Sequence, residues 1–193
     1  MIGAFRCRFI GSGVQAHSHL QAFGDLFPLT DIRVFGRGQA NIDKLCEAAR
    51  AKGLAARGCA TAREAVEGAD LVVTSITLSY DVAPFIDARW LKPGAFAAIT
   101  DLALPWIPEG MAAFGAVIID NIAQEAASEK KMVDPALIAG DLGGLVTGKH
   151  SAGFDPARCS AFVFRGLAIG DIAVSALAYR QASAAGRGTP VAG

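Results

Sequence analysis

The chain has 193 residues with 18 Lys+Arg against 18 Asp+Glu, so its formal net charge is zero, and 52% of it is hydrophobic. A neutral chain lacks the basic footprint of a nucleic-acid binder, and this apolar content excludes a disordered one. Its apolar runs fall short of the roughly 18 residues that a membrane span needs.

The start Met1-Ile2-Gly3-Ala4-Phe5-Arg6 lacks the basic, apolar and cleavage segments of a secretory signal. Cys7, Cys46, Cys59 and Cys159 are scattered, with no C-x-x-C pair and no His at ligand spacing. The expectation is a cytoplasmic α/β protein with four reduced, mostly buried thiols and no metal site.

The first informative stretch is Phe9-Ile10-Gly11-Ser12-Gly13-Val14-Gln15-Ala16, the end of an apolar strand, a glycine turn and a helix start. Its Gly11-x-Gly13-x-x-Ala16 spacing is the dinucleotide-binding fingerprint. Gly11 permits the sharp turn, Gly13 lets backbone approach a pyrophosphate, and Ala16 lets the helix lie close to the strand. Phosphates would sit over the free N–H groups of the helix. Gly11, Ser12, Gly13, Val14, Gln15 and Ala16 are therefore the expected cofactor loop, although the same glycine spacing also occurs in ordinary turns.

Ala16, Leu20, Phe23 and Phe27 then form one apolar helix stripe that Pro28 ends. His17 and His19 are two apart, so they point to different helix faces and read as surface or half-buried polar residues, not a metal pair.

Residues 32–35 form a second strand, followed by Gly36-Arg37-Gly38-Gln39. A dinucleotide fold reads the adenosine ribose here, and a cofactor without a 2′-phosphate wants an acid at this strand end. Gly36 and Arg37 stand there instead, and the guanidinium fork suits a phosphate. NADP(H) is favoured and NAD(H) stays possible, because Arg37 also fits a solvated loop arginine or one that stacks on adenine.

A helix over 40–52, stopped by Gly53, leads to a short strand over 54–57. Thr61-Ala62-Arg63-Glu64 has capping-box spacing. Leu71-Val72-Val73-Thr74-Ser75 is typical of a strand buried on both faces. Thr74, Ser75 and Thr77 fall at its carboxyl end, the ligand edge of an open α/β sheet. Their hydroxyls suit either a bound cofactor or the capping of the next turn.

A further strand over 95–100 ends at Asp101, placed either for general acid/base work across the crevice or for capping a loop. Residues 117–119 form the next strand, ending in Asp120-Asn121. Asp134-Pro135 predicts a short helix that stops near Gly140, and Gly143-Gly144 with Gly148 predicts a loop. A long, Ala-rich helix over 167–185 is apolar over most of its surface and expects partners on several sides. The alternation of strands and helices gives a doubly wound parallel sheet of Rossmann type.

Gly11-Ser12-Gly13-Val14-Gln15-Ala16 with His19-Leu20 resembles the fingerprint of the ornithine cyclodeaminase/mu-crystallin family. Val73-Thr74-Ser75, Trp90-Leu91-Lys92-Pro93-Gly94 and Gly166-Leu167-Ala168-Ile169-Gly170-Asp171, with Tyr179 and Ala182 beyond, resemble later motifs of that family in the right order. The resemblance implies NAD(P)-linked chemistry at the α-carbon of amino or imino acids. It implies Asp101 as the acid/base aspartate, although Ala97-Ala98-Ile99-Thr100 here replaces the family's longer lead. Phe162-Val163-Phe164-Arg165-Gly166 replaces a Phe-Lys-Ser-x-Gly segment, leaving Arg165 for the polar role.

Family members carry an N-terminal domain that clamps the substrate and supplies most of the dimer contact. Against that pattern the chain divides into a dinucleotide-binding domain over 1–165 and a C-terminal helix and tail over 166–193. The tail portion would pack toward the N-terminal domain that the given sequence lacks. Three functions follow as expectations: an NADPH-linked imine or ketimine reductase domain, a cyclodeaminase-type lyase with bound NAD, or a non-catalytic NADP(H)-binding protein. Expected partners are a small amino or imino acid and a second copy or associated chain, with no nucleic acid and no membrane.

Overall fold

In the computed structural model, which describes residues 5–149 and 155–189, eight strands lie in one sheet and every adjacent pair is parallel. The chain runs β1 (Phe5–Ile10), α1 (Val14–Leu26), β2 (Leu29–Phe35), α2 (Gln39–Ala51), β3 (Ala55–Gly58), α3 (Ala62–Val66) and β4 (Leu71–Thr74). It continues through β5 (Phe96–Ile99), β6 (Phe114–Ile119), α4 (Ile122–Ala127), β7 (Ile138–Asp141), α5 (Leu142–Val146), β8 (Cys159–Val163) and α6 (Ala168–Ala184). Across the sheet the order is β3-β2-β1-β4-β5-β8-β6-β7. From β1 the chain builds outward through β2 and β3, then crosses back to place β4 on the other side of β1. That reversal makes the β1–β4 seam the topological switch point, where open α/β sheets bind ligands.

Side chains alternate between the two faces of the sheet. Cys7 and Phe9 of β1 and Leu71 and Val73 of β4 enter the layer formed with Ala16, Leu20, Ile42 and Leu45 of α1 and α2. Ile10, Val72, Ala97 and Ile99 enter the opposite layer with Ala65, Val66, Trp106 and Met111. Covered on both faces, β4 is buried along its whole length, as its continuous apolar run requires.

Arg8 of β1 is 0% exposed, and its two terminal nitrogens reach the two carboxylate oxygens of Asp31 on β2 at 2.7 and 3.2 Å. This two-pronged pair ties the strands together, and loss of Asp31 would leave a buried charge uncompensated.

The short helices begin where the sequence offers caps. Thr61 accepts the Glu64 N–H at 3.1 Å, but the Glu64 carboxylate accepts from Ala60 at 2.9 Å, one residue before the reciprocal bond of the expected capping box. Gly53, at φ +80°, closes α2 as its position predicts.

Three stretches differ from the sequence reading. Asp134-Pro135 opens a single 3₁₀ turn, Pro135–Leu137, and the chain then enters β7 where a helix to Gly140 was expected. The Asp134 cap is present, yet pairing of Ile138 with Val117 on β6 draws the segment into the sheet. The expected Gly143-Gly144 loop is α5, begun by Asp141 accepting the Gly144 N–H at 2.8 Å; this cap offsets the poor helix propensity of the glycines.

Residues 159–163 form β8, seated between β5 and β6. Cys159, Ala161 and Val163 are its buried positions, a short alternation of small residues without a strong strand signal of its own.

The long terminal helix is present as α6, with Ile169 72% and Tyr179 74% exposed and no residue buried. No described helix is long and apolar enough to cross a membrane. Of the expected portions 1–165 and 166–193, residues 1–4, 150–154 and 190–193 lie outside the described residues.

Candidate functional site

At the carboxyl ends of β1, β2 and β4 lies a crevice of about 300 Å³ whose lining includes Gly11, Ser12, Gly13, Gly36, Arg37 and Ser75. The β1 strand delivers the glycine turn, β2 delivers Gly36 and Arg37, and β4 delivers Ser75. Ile76, Phe35 and Phe85 supply apolar wall, with the two rings 6.0 Å apart between centroids.

The glycines serve different physical needs. Gly11 has φ +98°, and a Cβ there would lie 2.5 Å from the Ser75 carbonyl oxygen. Backbone conformation and close approach both demand glycine at that position. Gly13 has φ −83°, which any residue adopts, and a Cβ on it would meet nothing within 4 Å. Nothing among the described residues excludes a side chain at Gly13, and the space beside it suits a bound group.

Gly13 also starts α1 without a side-chain cap, and the first helical bond runs from His17 N–H to the Gly13 carbonyl at 3.3 Å. The N–H groups before it have no helical partner at the crevice rim, and the helix dipole favours an anion there.

The expected loop residues separate by position. Val14 is 82% exposed and lines an adjoining groove with Ser12, Gly13 and Asn41. Gln15 is exposed, and its carbonyl accepts from His19 Nδ1 at 2.7 Å. Ala16 is 0% exposed and packs the helix onto the sheet, as its small size predicts. Arg37 is exposed, and among the described residues its side chain makes no hydrogen bond or ion pair.

Two expected site residues lie behind the crevice and not on its wall. Thr74 is fully buried because strand alternation points it with Val72 into the Trp106 layer. Its hydroxyl donates to Asp101 Oδ1 at 2.9 Å and accepts from Trp106 Nε1 at 3.3 Å. Asp101 is itself 0% exposed, so it does not face the crevice as expected, and its Oδ2 accepts the Ile76 N–H at 3.1 Å. Burial pushes the Asp101 carboxyl up to about 6, with the bonds from Ile76 and Thr74 opposing the shift.

Arg165 also turns away from a polar role at the site. It pairs with the buried Glu125 at 2.6 Å, while its own N–H and that of Gly166 donate to Asp120 at 2.8 and 2.7 Å. This cluster fixes the passage from β8 into α6. The four cysteines are free, and burial pushes the Cys7 thiol up to about 12, which removes it as a nucleophile at neutral pH. No group of three or more potential metal ligands occurs among the described residues.

The residues present fit a dinucleotide. The Ser75 hydroxyl is buried on the crevice wall without a hydrogen-bond partner among the described residues, an arrangement that a ligand oxygen or N–H would complete. Among the described residues the lining contains no Asp or Glu, and its one charged side chain is Arg37.

The parallel sheet, with the glycine turn and the crevice at its switch point, defines a doubly wound α/β protein of the Rossmann class. The chain belongs to the ornithine cyclodeaminase/mu-crystallin family, whose sequence profile matches residues 3–186.

Mouse (Mus musculus) ketimine reductase mu-crystallin is 27% identical over 179 residues, covering 88% of this chain and 53% of the relative. The chain thus spans about half the length of the curated relatives it matches. The fold is that of the Thermococcus litoralis Δ1-pyrroline-2-carboxylate reductase solved with NADH and L-proline, at TM-score 0.80 and 22% identity over 99% of this chain and 62% of that one. An archaeal alanine dehydrogenase dimer with bound NAD matches at TM-score 0.83 and 19% identity, over 100% of this chain and 62% of that one.

Proposed function

We propose that the chain binds NADP(H) in the crevice and serves the reduction of an imine or ketimine derived from an amino acid. The observation that carries this reading is the pairing of a turn at the switch point that requires glycine at position 11 with an Arg37 unpaired among the described residues at the end of β2. Gly11 and Gly13 admit the pyrophosphate, the start of α1 receives its charge, and the Ser75 hydroxyl is placed to bond the cofactor. Gly36 leaves no carboxylate to accept from ribose hydroxyls or to repel a 2′-phosphate, and Arg37 offers that phosphate its donor fork. When bound, the nicotinamide supplies the hydride.

The ketimine reductase name of the mouse relative and the reductase function of the T. litoralis neighbour support the imine class of substrate. A second reading, nucleotide binding without turnover by this chain, is favoured by the single ionisable group, Arg37, on the crevice lining. Loss of NADPH absorbance on addition of a cyclic ketimine separates the two.

Cofactor choice is tested by titrating NADPH and NADH into wild type and Arg37→Ala. Wild type is expected to prefer NADPH, and the variant to lose about 10- to 100-fold in NADPH affinity with NADH unchanged, the range of one charge-assisted hydrogen bond. Equal binding of the two cofactors before and after the change would remove Arg37 from phosphate recognition.

A further inference from the structure

Nothing in nucleotide binding as such calls for a fully buried carboxylate at the end of β5, yet Asp101 is 0% exposed there. Its oxygens are divided between two donors, Oδ1 taking the Thr74 hydroxyl at 2.9 Å and Oδ2 the Ile76 N–H at 3.1 Å. Trp106 Nε1 donates to Thr74 at 3.3 Å and so directs the hydroxyl proton toward Asp101.

The Ile76 N–H belongs to the same planar peptide as the Ser75 carbonyl, and the two groups point in opposite directions. The Ser75 oxygen lies 2.5 Å from the site of a Cβ on Gly11. One peptide therefore meets Asp101 on one side and the phosphate loop on the other. Both Ser75 and Ile76 line the crevice.

We propose that Asp101 is a positioning residue for the nucleotide: by accepting the Ile76 N–H it holds the Ser75–Ile76 peptide against Gly11 and sets the spacing between the end of β4 and the phosphate loop. The inference rests on the reading that the crevice binds a dinucleotide.

The charge state of Asp101 then matters. An ionised carboxylate accepts from both donors with the strength of a charged acceptor, whereas a proton on Oδ2 competes directly with the Ile76 N–H. A proton on Oδ1 turns the Thr74 hydroxyl away and leaves Oδ2 a neutral, weaker acceptor, so the Ile76 bond weakens in either form. Burial alone raises the carboxyl into the range where this exchange is measurable, with no charged side chain contributing.

Among the described residues no charged side chain bears on its titration. Thr74 and Ile76 bond to it and Trp106 stands behind Thr74, while the strand positions before it pair with the apolar Ile10 on β1, opposite Thr74, and Val163 on β8, opposite Ile99.

The test uses the full chain, wild type and Asp101→Asn, titrated with NADPH and with NADH between about pH 5 and about pH 8. NADH is the deciding probe, because the 2′-phosphate of NADPH titrates with a pKa near 6 of its own. Wild-type affinity for NADH is expected to fall about tenfold as the pH drops through 6, and the Asn variant to be weaker at pH 8 and flat across the range. Protection of the Ile76 amide, its exchange rate taken against the intrinsic rate at each pH, is expected to fall in the variant, and in wild type at low pH.

A wild-type NADH profile that is flat while the protein stays folded overturns the proposal without need of the variant. So does an Asn variant that binds as wild type does or keeps its pH dependence. Wild type that binds neither nucleotide at any pH overturns the dinucleotide reading itself, a different result from binding that ignores Asp101.

Discussion

Gly11 and Ser75 approach each other more closely than any side chain at position 11 allows: a Cβ on Gly11 would stand 2.5 Å from the Ser75 carbonyl oxygen, at a φ of +98° that already disfavours L residues. The glycine turn after β1 and the strand end of β4 are therefore one packed unit, and the crevice lies along it.

Gly11→Ala and Gly13→Ala are expected to behave differently although both alter the phosphate loop. At Gly11 the added methyl meets backbone and a left-handed conformation, so unfolding stability should fall by about 2–4 kcal/mol along with nucleotide affinity. At Gly13 the methyl meets nothing within 4 Å among the described residues. Stability there should change by less than about 1 kcal/mol while NADPH affinity falls at least about tenfold. Thermal unfolding paired with nucleotide titration checks both, and equal loss of stability in the two variants would contradict the assignment.

The turn after Asp101 is strained. Leu102 and Ala103 both have φ 58°, closed by Leu104 N–H to the Asp101 carbonyl at 3.1 Å and Trp106 N–H to the Ala103 carbonyl at 3.0 Å. Two consecutive left-handed residues without glycine cost about 1–2 kcal/mol each, and the turn is what delivers Trp106 to Thr74. Ala103→Gly relaxes one residue but removes a buried methyl and loosens the unfolded chain, so its stability should stay within about 1 kcal/mol of wild type. Ala103→Val places a β-branched side chain in the same conformation and should lose about 3 kcal/mol or more in denaturant unfolding.

Asp101 gives stability a distinctive pH dependence. Its folded carboxyl sits at about 6 against an ordinary value of 3.8, so between those values the folded chain holds a proton that the unfolded chain has released. The contribution of this group is therefore greatest below about pH 4 and is lost as pH rises through 6, by about 3 kcal/mol. Asp70, Asp87 and Glu64 have carboxyls held below the usual range and act in the opposite sense. The difference between Asp101→Asn and wild type isolates the effect: the variant should gain on wild type by about 3 kcal/mol between pH 4 and pH 7. Nucleotide affinity is expected to move the other way in wild type, improving as the carboxylate ionises.

The local chemistry was legible before any fold was known. The apolar run 71–74, the helix stripe through Ala16 and Leu20 and the Gly11-x-Gly13 turn each carry their own period or backbone requirement, and each appears where the sequence places it. Arg37 at the end of β2 was legible for the same reason, because strand, turn and position in the first unit of the fold are set by neighbouring residues. Asp101 shows where that reasoning stops. A carboxylate at a strand end looks alike in sequence whether it faces a ligand or a wall, and only its neighbours on β4 and the following turn decide.

By itself, then, the sequence determined a doubly wound chain with a glycine turn after its first strand, since period and glycine geometry act over a few residues. Tertiary structure alone decided that β8 slips between β5 and β6, that Thr74 and Asp101 are buried behind the crevice, and that one peptide bridges Asp101 to Gly11. Those outcomes depend on which strand ends come to lie side by side, and residues as far apart in the chain as Thr74 and Asp101, 27 positions, or Gly11 and Ile76, 65 positions, leave no local pattern that could announce it.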